Sequence, residues 1–154
     1  MPLELTLFHR WGYFVNGENV PKDTLGILSR AVTLKYASAG CELFFNITTP
    51  PDTDAINRLG GYNFSYPRVA IIGGKQDPWR AVTPHKIGIN EARKSTTSEP
   101  FILIDYANHC WDTYDIPESE YKPGYPPQQI VDVHNQEVEF VKAWLKEFNE
   151  TRSH

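Results

Sequence analysis

The chain has 154 residues, a formal net charge of −4 and interspersed charged side chains, so it is long enough for one domain with an apolar core. No basic stripe points to nucleic acid, and no block of like charges points to a disordered tail. No apolar run approaches the roughly 20 residues of a membrane span, and residues 1–10 lack the features of a signal peptide.

The first forty residues predict an aromatic cluster followed by a short helix. The cluster is Trp11-Gly-Tyr-Phe14, and it fits either core packing or the wall of a substrate pocket. Apolar residues at helical spacing after Pro21 predict a short helix within residues 21–40. These residues are Leu25, Leu28 and Val32. The small residues Ala37-Ser-Ala-Gly40 are expected to break that helix.

The next segment predicts a second, shorter helix after a turn. Residues 41–47 form a brief apolar and aromatic run, and residues 48–52 form a turn that contains two prolines. Asp52 is expected to cap one or two helical turns in which Ile56 and Leu59 face inward. A pair of glycines at 60–61 ends this element.

Two apolar runs in the second half of the chain predict parallel strands. Residues 69–73 and 100–105 are short and rich in β-branched side chains, as in strands that are buried on both faces. Asp77 follows the first run and His109 follows the second. Ligands and chemistry lie at the carboxyl ends of such strands. An acid followed by a histidine is also the order in which an α/β-hydrolase triad ends.

The remainder predicts loops and a terminal helix. Residues 81–94 are polar and mixed, and residues 109–127 form a long proline-containing loop. Loops of this length are usually functional or lie against another domain. A helix is expected from Pro127 to near Asn149, packed on the sheet through one apolar stripe. The stripe consists of Ile130, Val133, Val138, Val141, Trp144, Leu145 and Phe148. His134 on this helix is expected to lie at the surface or to be partly packed.

The nucleophile of a triad is not evident in the sequence. Acyl transfer requires a serine on a Gly-x-Ser-x-Gly elbow before the acid. Ser29, Ser38 and Ser65 precede Asp77, and none has the flanking glycines; no glycine-rich oxyanion loop is present either. Cys41 precedes an apolar run rather than following one, so a cysteine nucleophile is not expected.

Other chemistry is weakly indicated. Metal-ligand residue types are present, but they lack the close spacing of zinc sites, so neither a metal nor another cofactor is predicted. They are His85, His109, Cys110 and Asp112. The pairing of Cys41 and Cys110 stays open. Three Asn-x-Ser/Thr tripeptides, at Asn46, Asn63 and Asn149, are candidate glycosylation sites and hint at a secretory route.

Two of these segments resemble a known family. Residues 69–80, an apolar strand followed by Gly-Gly-Lys-Gln-Asp-Pro-Trp-Arg, resemble the acid loop of the proline-specific serine peptidases. That family includes lysosomal Pro-X carboxypeptidase, dipeptidyl peptidase II and fungal prolyl endopeptidases. Residues 101–112, which end in His-Cys-Trp-Asp, look like its histidine loop. Residues 29–45 resemble the fungal branch, and Trp11-Gly-Tyr-Phe14 resembles an aromatic segment of the helical cap.

The resemblance implies an α/β class protein, the C-terminal part of an α/β-hydrolase with its last parallel strands and terminal helix. Residues 1–62 would be the tail of the helical cap region and its connection, and residues 63–154 the C-terminal part of the hydrolase domain. Asp77 would be the triad acid and His109 the general base. Trp79, Trp111 and Trp11 would be candidate walls of the substrate pocket.

The resemblance also implies an activity that this chain does not complete by itself. The serine would lie in an upstream half of the hydrolase domain, so the chain alone is expected to be inactive. The substrates implied are proline-containing peptides, and the location implied for the full-length protein is secreted, lysosomal or vacuolar. The alternative is a non-catalytic remnant or binding domain. The sequence leaves open whether the peptidase would act on chain ends or on internal bonds.

Overall fold

The computed structural model of the protein describes residues 11–152. Residues 1–10, which were expected to lack the features of a signal peptide, lie outside the described residues. The chain divides into two compact units, Met1–Gly60 and Gly61–His154. In the part described, helices and one two-stranded parallel sheet make up the regular structure. This mixed content is compatible with part of an α/β fold. The assignment of the first part to a cap tail and of the second to a hydrolase domain stays a prediction.

The first unit carries a helix where the sequence predicted a break. Helix α1 spans Leu34–Phe45, so Ala37-Ser-Ala-Gly40 lies inside a helix instead of ending one. Thr33 accounts for the start, because its side-chain oxygen accepts a hydrogen bond from the Tyr36 N–H at 3.2 Å. The helix ends at Asn46, which adopts the left-handed conformation.

The predicted helix after Pro21 is wrong. Residues 21–33 form turns and bends. The Arg30 guanidinium donates hydrogen bonds to three backbone carbonyl oxygens within residues 20–24. The Pro21 carbonyl oxygen also accepts the Thr24 N–H at 3.1 Å, so these carbonyls are used in a turn closed by Arg30. The Leu25 side chain is almost fully exposed, so its apolar spacing marks no buried face.

The second short helix lies where the sequence predicted it, but one of its two predicted inward-facing residues is exposed. Helix α2 spans Thr53–Asn57, and the Asp52 carboxylate accepts a hydrogen bond from the Ala55 N–H at 3.0 Å, which confirms the predicted cap. Ile56 is half-buried. Leu59 lies beyond the helix and is exposed, so the prediction that it faces inward is wrong.

The second unit is built around two parallel strands. Strand β1 spans Ile71–Gly74 and strand β2 spans Phe101–Ile104, both within two residues of the predicted runs. The pairing is in register, with Gly74 opposite Ile104. Both strands therefore end at the same level, and the loops that follow them leave the same edge of the sheet.

The terminal helix covers one face of this sheet. Helix α3 spans Gln128–Thr151, with Pro127 at its N-cap and not at the predicted first helical position. Four buried residues form the core between helix and sheet: Ile104, Ala107, Ile130 and Val133. Full burial of an Ile or Val side chain contributes about 1.5–3 kcal/mol, so these contacts anchor the first half of α3.

The second half of α3 is less buried than its apolar stripe predicted. Four residues of the stripe are about half exposed: Val138, Val141, Leu145 and Phe148. Trp144 fixes this part of the helix through a hydrogen bond from its indole N–H to the Thr97 carbonyl oxygen at 2.7 Å. No helix in residues 11–152 combines the length and the apolar character needed to cross a bilayer.

Candidate functional site

Residues 75–80, termed the acid loop from here on, follow β1 and lie alongside the residues that follow β2. The Lys75 N–H donates to the Ile104 carbonyl oxygen, and the Gln76 N–H donates to the Ala107 carbonyl oxygen, each at 3.0 Å. These bonds continue the pairing of the sheet past the last strand residues. The acid loop is therefore tied directly to the histidine loop, residues 105–113.

Gly74 permits the close approach of these two loops. A Cβ at this position would overlap the carbonyl oxygens of Ala107 and Asn108. Only a residue without a side chain lets the backbones pack at this distance. The Gly-Gly pair that the sequence indicated as the end of a strand thus also brings the two loops together.

Asp77 has a largely buried side chain and uses both carboxylate oxygens. One oxygen, Oδ2, lies 2.8 Å from His109 Nδ1, and the other accepts a hydrogen bond from the Trp79 N–H at 2.8 Å. The second bond caps the 3₁₀ turn Pro78–Val82, in which Pro78 takes the first position. Only 9% of the Asp77 side chain is exposed. The cap and the burial hold the carboxylate in the orientation in which it meets His109.

The contact with Asp77 determines how the His109 imidazole is protonated. An ionised carboxylate only accepts hydrogen bonds, so the neutral ring carries its proton on Nδ1. Its second nitrogen, Nε2, is then the basic one, and 57% of the His109 side chain is exposed. The Trp79 ring lies beside it, with ring centroids 6.4 Å apart. This pair, termed the dyad below, presents an exposed base backed by a buried acid.

A cleft of about 290 Å³ opens at the dyad. Its lining includes Asp77, His109, Trp79 and Cys110, and it lies wholly within the second unit. The volume is close to the lower end of ligand pockets, which start near roughly 300 Å³. Among the described residues, no serine belongs to the lining.

The three tryptophans suggested as pocket walls occupy different places. Trp79 lines the cleft and is partly exposed. Trp111 packs against the core between β2 and α3 and is not part of the lining. Trp11 belongs to the first unit and stacks near Tyr13, with ring centroids 5.9 Å apart. Their roles in binding a substrate stay predictions.

Two further residues support the acid loop, and no sequence pattern indicated either role. The Arg80 side chain donates to the His85 carbonyl oxygen at 2.9 Å and to the Lys75 carbonyl oxygen at 3.4 Å, which braces the loop across its width. His85 is buried against β1, with Nε2 3.1 Å from the Ile71 carbonyl oxygen. Their partners are backbone carbonyls, which every residue carries, so no motif identifies them.

The environment of His85 disfavours the protonated form of its ring. Burial lowers the pKa of His85, the bond to Ile71 opposes this, and the positive charges of Arg80 and Arg93 lower the pKa further. The ring stacks on Phe101 of β2 with centroids 4.0 Å apart. His85 thus packs as an aromatic ring against the strand that leads into the acid loop.

The histidine loop bends sharply after His109. Cys110 adopts a left-handed conformation with φ 57°, and the 3₁₀ turn Trp111–Thr113 follows. The Thr113 N–H and hydroxyl both donate to the Cys110 carbonyl oxygen, at 3.1 and 2.8 Å. Desolvation raises the pKa of the Cys110 thiol, and the nearby carboxylates of Asp112 and Asp77 raise it further.

None of the three serines noted in the sequence belongs to the lining of the cleft. Ser38 lies in α1 and donates to the Lys35 carbonyl oxygen, and Ser65 donates to the Glu99 carboxylate. Ser29 lies in the turn segment of the first unit. Both cysteines, Cys41 and Cys110, are free thiols.

The remaining candidate residues have simple positions. The three candidate glycosylation sites, Asn46, Asn63 and Asn149, are all exposed. No group of three or more His, Cys, Asp or Glu side chains within residues 11–152 is placed to hold a metal ion.

One curated protein is similar to most of this chain. It is named "Probable extracellular serine carboxypeptidase" and comes from Arthroderma benhamiae. The two are 36% identical over 138 residues, which is 90% of this chain and 19% of that protein. The chain therefore spans about a fifth of the length of this relative. The sequence matches no protein-family model.

Proposed function

We propose that this chain supplies the acid and the histidine of a serine-type peptidase. The hydrogen bond of 2.8 Å between Asp77 and His109, at the carboxyl ends of two adjacent parallel strands, carries the proposal. Asp77 accepts a hydrogen bond from the Nδ1–H group of His109 and so orients the imidazole. His109 Nε2 takes the proton of a serine hydroxyl and returns it to the leaving amine. Similarity to a protein named as a serine carboxypeptidase supports this reaction class.

The serine itself is proposed to come from a segment outside residues 1–154. Among the described residues no serine lines the cleft, and the relative is about five times longer than the matched segment. A segment that carries the serine would approach the exposed Nε2 edge of His109. The chain alone is proposed to have no peptidase activity, and no cofactor enters the reaction.

The substrate class is proposed to be proline-containing peptides. The support is the resemblance of residues 69–80 to the acid loop of proline-specific peptidases, together with the exposed Trp79 ring beside His109. The relative is named as extracellular, which supports a secreted, lysosomal or vacuolar location for the protein. Exposed Asn46, Asn63 and Asn149 are the proposed glycosylation sites on that route.

A chimeric enzyme tests the catalytic proposal. The matched segment of the Arthroderma carboxypeptidase is replaced by the corresponding 138 residues of this chain. We expect the chimera to hydrolyse peptides and a fluorophosphonate to label its serine, while the isolated chain is neither active nor labelled. Peptides with proline before the scissile bond, compared with alanine at that position, test the substrate class.

Two variants of the chimera make the test specific. Asp77→Asn and His109→Gln should each abolish most of the turnover, because each removes one member of the dyad. Glu139→Gln, on the exposed face of α3, is the matched control and should keep full activity. A folded chimera without activity, or a His109→Gln chimera as active as its parent, would contradict the proposal.

The alternative is a non-catalytic binding domain. The observation that favours it is the lack of a serine in the described lining of the cleft. A binding domain would leave a folded chimera inactive, yet the isolated chain would bind proline-containing peptides, as measured by calorimetry. The chimera therefore separates the two functions.

A further inference from the structure

We propose that His134 of α3 is the positioning residue that holds the histidine loop, and with it the His109 imidazole, against Asp77. The contact that carries this proposal is the hydrogen bond from His134 Nε2 to the Asp112 carbonyl oxygen at 2.8 Å. A carbonyl oxygen only accepts, so Nε2 carries the proton and donates. The catalytic meaning of the contact depends on the proposed function, whereas its structural effect does not.

The orientation of His109 depends on how its loop is held on both sides. Before His109, buried Ala107 is fixed by its contact with Gly74 and by the bond from the Gln76 N–H. After His109, the left-handed Cys110 redirects the chain immediately. The position of the ring therefore depends on the turn that follows Cys110 as much as on the segment that precedes it.

Two contacts hold that following turn, and they differ in kind. The Trp111 side chain packs against the core, which provides apolar contact without a fixed direction. The bond from His134 to Asp112 is directional, because a hydrogen bond weakens steeply as its geometry departs from linear. His134 is therefore the contact that sets where the turn lies along α3.

Helix α3 is a rigid support for this bond. His134 directly follows Val133, which is buried in the core together with Ile130 one turn earlier. Glu137, one turn later, lies in the same partly buried region. Its pKa is raised by desolvation, lowered by His134 and raised by Asp112. In such a region a hydrogen bond is less weakened by competing water than at an open surface.

A matched pair of amide variants tests the bond without a large change in polarity. His134→Gln places an amide N–H at a reach similar to that of Nε2, whereas the His134→Asn side chain is one methylene shorter. The measurement is the exchange with water of the His109 Nδ1 proton, observed by NMR in the full 154-residue chain. The signal is assigned by its loss in Asp77→Asn and in His109→Gln.

We expect about tenfold faster exchange in His134→Asn, near the upper end of what one neutral hydrogen bond contributes. His134→Gln and the surface control Glu139→Gln should exchange as the parent does. Equal exchange in the Asn and Gln variants, or a parental rate in folded His134→Asn, would overturn the proposal. Urea unfolding of each variant shows whether faster exchange follows merely from global opening.

The same variants in the chimera connect the bond to catalysis. His134→Asn should lower kcat by about tenfold with little change in KM, since the base is displaced while substrate binding persists, and Gln should restore the rate. An inactive parent chimera would contradict the proposed function and leave the exchange measurement intact. An unchanged exchange rate would refute the positioning role even if the chimera is active.

Discussion

Replacing Asp77 by Asn removes the charge of the dyad with little change in shape. The amide oxygen can still accept the Trp79 N–H, as the carboxylate does at 2.8 Å. The amide nitrogen then faces His109 Nδ1, where the carboxylate oxygen lay at 2.8 Å. Because an amide N–H only donates, Nδ1 must become the acceptor. The imidazole proton therefore moves to Nε2, which is the nitrogen that would have to act as the base.

The structure allows an estimate of the cost. Asp77 is only 9% exposed, so the bond to His109 is little weakened by solvent on the acid side. A hydrogen bond to a charged group contributes about 1.5–3 kcal/mol, and one between neutral groups about 0.5–1.5 kcal/mol. The free energy of unfolding should therefore fall by about 1–2 kcal/mol. In the chimera, the wrong tautomer should reduce kcat by about 10⁴-fold.

Two measurements on the isolated chain and one control decide this prediction. Nitrogen-15 NMR reports which ring nitrogen of His109 carries the proton, and urea unfolding reports stability. Asp105→Asn is the control, since its ion pair with Lys75 joins two side chains that are about half exposed. Such an exposed pair contributes at most about 1 kcal/mol. An Asp77→Asn chain with the proton still on Nδ1 and with parental stability would refute the reasoning.

Three further predictions concern the stability of the chain. Gly74→Ala should lower the free energy of unfolding by about 1–3 kcal/mol, because its Cβ overlaps the Ala107 carbonyl oxygen. Gly40→Ala in α1, where a Cβ meets only the Phe44 ring at ordinary contact distance, should raise it by about 0.5–1 kcal/mol; equal urea midpoints for the two variants would contradict this. The pKa of His85 is lower in the folded chain than in the unfolded chain. Between about pH 6.5 and this lowered pKa, the unfolded chain therefore binds a proton at His85 that the folded chain does not bind. Stability should therefore decline as the pH falls from about 6.5 through the lowered pKa, and a folded His85→Phe variant that declines equally would exclude His85 as the cause.

The part of the fold that positions the site could be predicted, because its signals are local. Short β-branched runs ending in glycine or aspartate indicated β1 and β2 to within two residues. In-register parallel pairing then brings the loops after the strands to one edge of the sheet. The proximity of Asp77 and His109 follows from order and spacing alone.

The failures occurred where tertiary contacts outweigh local pattern. The apolar spacing around Leu25 indicated a helix, yet Arg30 closes that segment into a turn through hydrogen bonds to backbone carbonyl oxygens. Such bonds do not depend on which side chains are apolar, so hydrophobic periodicity cannot reveal them. In α1, the small residues Ala37-Ser-Ala-Gly40 were expected to break the helix, but the Thr33 cap starts a helix that continues through them to Phe45. The sequence also did not predict the contacts of His134 and Arg80, since both side chains donate to backbone carbonyl oxygens, which no sequence motif identifies.

The geometry of the dyad is complete without any residue beyond the second unit. Strand register, the Gly74 contact and the cap on Asp77 are all provided by residues 71–113. Under the proposed function, the rest of the active site then has to bring a serine hydroxyl within about 3 Å of Nε2 and supply the oxyanion donors.

That requirement has a consequence for how the site would assemble. Only 9% of the Asp77 side chain is exposed, whereas more than half of the His109 side chain is exposed. A segment that brings the serine should therefore reduce the exposure of His109 and leave the environment of Asp77 nearly unchanged. Formation of the dyad and acquisition of activity are then separate events: the first belongs to this chain, and the second depends on what covers His109.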